Sequence, residues 1–168
     1  MNEQEIRLHL TNTPNQLSKR LTPQRDELKL TRAPRKDQWS AREIVAHLRD
    51  TEARVFPKLY LIAVEDDPDL RRVEGQAPTD SWRPDDLTLV VMAQFRRLRQ
   101  STLSLLRELP PAAWDRRGRE VDGTLISIRD LAEYLVAHDT EHLDELDRVL
   151  LARNAMPPNV FPRVLVGI

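Results

Sequence analysis

ISIRDLAEYLVAHDTEHLDELDRVLLAR, residues 126–153, decides how the rest of the chain reads. Leu131, Leu135, His138, His142, Leu146 and Val149 follow one another in steps of three and four, which places them on one face of an α-helix. Ser127 stands at the N-cap and Asp130 three residues later, a capping box with a shorter acid than the preferred glutamate. Ile126 and Leu131 take the two staple positions around it. The helix is expected to run to about Arg153. Its core-facing stripe carries two histidines where the pattern calls for leucine.

The same start signal occurs earlier in the chain. In WSAREI, residues 39–44, Ser40 and Glu43 form the box, and Trp39 and Ile44 are placed as the staple. The stripe that follows is Ile44, Leu48, Thr51, Val55, Leu59 and Ile62, and Pro57 is expected to bend this helix without ending it. A first segment, from about Asn2 to Leu21, keeps Ile6, Leu10, Leu17 and Leu21 at helical spacing; Pro14 marks a kink or a restart in it. Thr22-Pro23 is placed to cap a short further turn. A third segment, from about Asp85 to Leu109, shows the stripe Leu87, Val91, Phe95, Leu98, Thr102, Leu105 and Leu109 before Pro110-Pro111 stops it.

Four amphipathic helices and no run that reads as a strand argue for an all-α protein. The expected architecture is a four-helix bundle in a single domain, 1–168. The connections 66–84 and 110–126 are long for a bundle, and loops of that length often carry function. Residues 154–168 read as a tail whose Val160, Phe161, Val164, Leu165 and Val166 pack on the bundle or on a partner.

Composition narrows the function. The formal net charge is -1 with 32% charged residues, so nothing attracts nucleic acid or an anionic membrane over long range. Arg96, Arg97 and Arg99, and Arg116, Arg117 and Arg119, read as solvated faces. The chain has no cysteine, which excludes disulfides, thiolate metal sites and a cysteine nucleophile. No apolar run approaches the roughly 20 residues that cross a bilayer, and the expectation is a cytoplasmic protein.

The histidines are the chemical signal. His47 lies beside the stripe of the second helix, so three of the four histidines point inward; His9 reads as surface. A single inward histidine is commonly satisfied by a hydrogen bond. Three together suit a metal: two imidazoles four residues apart lie one turn, about 6 Å, from each other, and a third from a neighbouring helix completes the set. Three histidines leave a position open for substrate, as catalytic sites do. HDTEH has the shape of H-E-x-x-H with Asp139 in the place of the glutamate, and of H-x-x-E-H with Glu141 as base. Asp50, three residues after His47, is a further candidate base. Asp139 and Glu141 otherwise read as surface or supporting groups.

WSAREIVAHL, FRRLRQSTLSLLRELP and the late HD-x-x-HL together resemble the DinB/YfiT-like superfamily, over most of the chain. The resemblance implies a four-helix bundle with a divalent transition metal held by His47, His138 and His142; three imidazoles suit zinc, nickel, copper or iron, and zinc or nickel is expected first. It also implies a small-molecule substrate and a homodimer. The resemblance does not choose an activity, and the reading put first is a low-molecular-weight-thiol, bacillithiol-like, S-transferase. Metal-dependent hydrolysis, or a non-catalytic, stress-related metal-binding bundle, are the other activities of such proteins.

Overall fold

The computed structural model describes residues 1–75 and 82–164. Four long helices carry the fold: α1 (Glu3–Leu21), α3 (Ala41–Val64), α4 (Thr88–Glu108) and α5 (Ile128–Ala152), with a five-residue α2 (Glu27–Thr31) between the first two. Helices α1 and α3 both pack against α4 and α5, so they occupy opposite corners of the bundle.

The caps form as the sequence implies. Ser40 and Glu43 exchange both hydrogen bonds of the box at 3.1 and 3.2 Å, and Ser127 and Asp130 do so at 3.0 and 2.9 Å. Asn2 and Glu5 add a third box at α1. Helix α4 has no cap of its own: Glu27 of α2 accepts from the Thr88 amide and hydroxyl at 2.8 and 2.7 Å. Trp39, placed as a staple partner, lies instead against the His47 ring, with 4.8 Å between centroids. Pro14 does not restart α1, which runs unbroken through it.

The core is two apolar clusters. Ile6, Leu10, Leu59, Leu106, Trp114 and Leu135 belong to one, and Leu17, Ile44, Leu48, Phe95, Leu146 and Leu150 to the other. Between them each long helix contributes a member to one buried polar network: Thr13, Glu52, Arg99 and Asp139. Arg99 binds Glu52 at 2.9 and 2.8 Å and Asp139 at 2.7 and 3.0 Å, while the Thr13 hydroxyl donates to Asp139 at 2.6 Å. Pro14 has no amide hydrogen to offer the Leu10 carbonyl, and Arg99 supplies the missing donor at 2.9 Å.

Four expectations are corrected here. Arg99 is not solvated: it is 1% exposed, paired from α3 and α5. The buried face of α4 is accordingly Val91, Met92, Phe95, Arg99, Thr102, Leu103 and Leu106, whereas Leu87 is 59% exposed and Leu98 only half-buried. Arg116 is half-buried and donates to the carbonyls of Ile62 and Glu65 at 3.0 and 2.6 Å. Finally, the second long connection holds a small hairpin, β1 (Arg117–Arg119) against β2 (Leu125–Ser127). Arg119 extends its reach by donating to the Pro68 carbonyl at 2.9 Å. Gly118 makes this docking possible, since a Cβ there would meet Ile62 Cγ1 at 2.9 Å.

The tail turns back onto α5. The Arg163 amide donates to Asp147 at 2.6 Å and its guanidinium to Asp144 at 2.8 Å, while Phe161 is 93% exposed. Leu165 and Val166 lie outside the described residues. No helix among the described residues is long and apolar enough to cross a membrane.

Candidate metal centre

His138 and His142 project from one face of α5, as their spacing requires, and His47 meets them from α3. Their centroids lie 4.3 to 4.8 Å apart in every pairing. One ring nitrogen from each falls within 4.8 Å of the others. His138 Nε2 and His47 Nε2 are 2.9 Å apart, close enough to share a hydrogen. The Thr51 hydroxyl sits 3.4 Å from His138 Nε2.

The surroundings disfavour the protonated forms of His138 and His47. Burial, and then the adjacent imidazoles of His142 and His47, push His138 down to about 4. Burial, and then His142 and Arg54, lower His47 as well. Neutral imidazole is the form that donates a lone pair. The His142 Nδ1–H donates to Glu145 at 2.8 Å, which fixes the tautomer and leaves Nε2 free. Trp39 covers the His47 and His142 rings, and Tyr134 lies 5.6 Å from His138.

The donor set fits a transition ion. Nitrogens bound to one tetrahedral ion lie about 3.3 Å apart, between the closest pair here and the widest. Three imidazole nitrogen donors, one oriented by a carboxylate behind it, are the chemistry such an ion takes.

The candidate bases fare differently. Asp139 is buried and committed to Arg99 and Thr13, facing the bundle centre. Glu141 is exposed and has no role in the cluster. Asp50 accepts from Arg49 Nε at 3.0 Å and is 40% exposed. Glu145, Trp39 and Tyr134 were not singled out for the site. Glu145 was legible in principle, since it stands three residues after His142 on the same helix face.

Residues 9–146 match the sequence model of a family described as the DinB superfamily. A curated protein of Halalkalibacterium halodurans, named "Putative metal-dependent hydrolase", is 24% identical over 143 residues, which are 84% of this chain and 82% of that protein. Among solved structures the chain is similar to YfiT from Bacillus subtilis, described as "a probable metal-dependent hydrolase with an unusual four-helix bundle topology". The TM-score is 0.72 at 19% identity, covering 90% of this chain and 87% of that one, and the likeness is one of fold.

Proposed function

The chain belongs to the DinB superfamily, and from that premise we propose that it is a metal-dependent enzyme acting on a small molecule. His47, His138 and His142 hold one divalent transition ion, zinc or nickel, and a low-molecular-weight thiol is the attacking group. The observation that carries this reading is the cluster: three imidazoles from two helices, with ligand nitrogens within 4.8 Å of one another. Bound there, the ion supplies a Lewis-acid centre that holds a thiol as its thiolate at neutral pH.

The residues of the chain do the rest. Burial lowers the proton affinity of His138 and His47 and so keeps their lone pairs available. Glu145 holds the His142 ring in one tautomer, and Trp39 limits the approach of water over His47. The nearby carboxylates support a thiol over water as nucleophile. Asp139 is bound to Arg99, Asp50 to Arg49 and Glu145 to His142, so each is already engaged as an acceptor. A free thiol already ionises near pH about 8.5, so a bound ion needs to lower it only modestly to hold the thiolate at neutral pH.

Hydrolysis of a small ester or amide is the second reading, favoured by the name of the Halalkalibacterium halodurans relative. Tag-free protein, His47→Ala and His138→Ala are first assayed for metal after loading with zinc or nickel. No metal in the parent overturns both enzymatic readings. The loaded parent is then given a small thiol with an electrophilic aryl halide or epoxide, and separately a nitrophenyl ester without thiol. Protein-dependent loss of free thiol, abolished in His138→Ala, is the expected result. Ester cleavage without thiol moves the assignment to hydrolysis, and neither reaction in a metal-loaded protein leaves a non-catalytic metal-binding bundle.

A further inference from the structure

The pocket beside the histidines is electrically asymmetric, and the asymmetry bears on what it takes. It offers about 250 Å3 between α3, α5 and the hairpin. Val55, Ile126 and Leu131 give it an apolar wall. Thr51 and Tyr134 join it to the cluster, since both also lie against His138.

Arg54 stands at the histidine end. Its Nη2 donates to the Thr51 hydroxyl at 3.3 Å, and no carboxylate among the described residues pairs with it. The same Thr51 hydroxyl lies 3.4 Å from His138 Nε2, which puts the guanidinium beside the cluster. One turn further along α3, Lys58 lies between Glu74 and Glu120, 3.1 Å from each. Two carboxylates against one ammonium leave that end net negative. The pocket is therefore positive beside the histidines and negative away from them.

We propose that this pocket binds a small carboxylate. The carboxylate group sits on Arg54 at the histidine end, and the apolar body lies on Val55, Ile126 and Leu131. Arg54 is then a specificity-determining residue, and the substrates are small organic acids that react close to their carboxylate. Guanidinium presents a planar fork of donors matched to a carboxylate. The acidic far end repels the same group, so the ligand enters in one orientation. The inference rests on the histidine cluster being the reactive centre, but carboxylate binding itself needs no ion.

Benzoate and its neutral isostere benzamide test the proposal. Each is titrated by NMR into parent and Arg54→Gln protein, with zinc loaded and with metal removed. Arg54 is exposed, and circular dichroism checks that the variant keeps its fold. In the parent, benzoate is expected to bind at least about tenfold more tightly than benzamide in both metal states. Arg54→Gln brings the two affinities together without weakening benzamide. Equal affinities in the parent, or a preference that survives Arg54→Gln, overturn the proposal; the latter includes a preference due to carboxylate on zinc alone. Loss of metal binding with the preference intact would count against the metal reading only. Metal bound with no preference would count against this inference only.

Discussion

Arg99 and Asp139 form an ion pair almost out of reach of solvent, Nη1 2.7 Å from Oδ2 and Nη2 3.0 Å from Oδ1. Asp139 is also the residue that follows His138. The same guanidinium holds Glu52, which follows Thr51, the neighbour of His138 across the groove. One side chain thus ties together the segments of α3 and α5 that carry the histidine site.

Removing that side chain leaves two buried carboxylates without their cation. Breaking a buried ion pair by deleting one partner costs about 3–5 kcal/mol, and Arg99→Met is expected to lose stability on that scale. Denaturant melts of parent and variant give the comparison. A loss below about 1 kcal/mol, the range of surface pairs, would mean that water reaches the network.

Glu145 acts on the cluster through His142. Glu145→Gln keeps the shape but removes the charge that holds the Nδ1–H, and a substitution of this kind typically weakens metal affinity by about 10- to 100-fold. Competition with a chromophoric chelator measures the change. Unaltered affinity would show that Glu145 does not orient the ring.

Protons compete with folding at the histidines once metal is stripped away. His138 falls from its ordinary 6.5 to about 4 in the folded protein, and His47 shifts in the same direction. The unfolded chain therefore binds more protons than the folded one between these values, and stability rises with pH there. The contribution is fully present above pH 6.5 and is lost as the pH falls towards 4. His138→Gln is expected to flatten this slope in urea melts of metal-free protein taken from pH 7 to 4. An equal slope in the variant would place the acid sensitivity elsewhere.

Gly118 is tested by one methyl group. A Cβ there meets Ile62 Cγ1 at 2.9 Å and Leu70 Cγ and Cδ2 at 3.0 Å. Overpacking of this kind costs about 1–3 kcal/mol, so Gly118→Ala should destabilise the protein and loosen the hairpin. Amide exchange at Arg119, bonded to Pro68, and at Ile126, opposite Gly118, reports the second effect, and unchanged protection would show that Ile62 and Leu70 yield without it.

Much of this was legible because the residues concerned obey local rules. The stripe from Leu131 to Val149 is buried at every position read from it, histidines included. The boxes at Ser40 and Ser127 close as written. Arg99 was not legible, because the charges that permit its burial lie on helices remote in sequence. An isolated arginine on a helix looks the same whether its partners are carboxylates or water. The hairpin escaped for a different reason: RGR and LIS are three residues each, too short to show alternation, and their position depends on docking against Ile62 and Pro68. At the site, spacing and family resemblance picked out the three histidines. The same reading took Asp139 for a surface or supporting group because its partners cannot be seen in HDTEH.

His47 and His138 touch although 91 residues separate them. During synthesis, the third nitrogen donor becomes available only when α5, the last long helix, has left the ribosome and closed the bundle. A nascent chain up to the end of α4 owns one of the three histidines, and in the unfolded chain nothing holds His47 beside the other two. The complete site is a product of the native topology, so the choice of metal falls to the folded protein and to the ion supply it then meets.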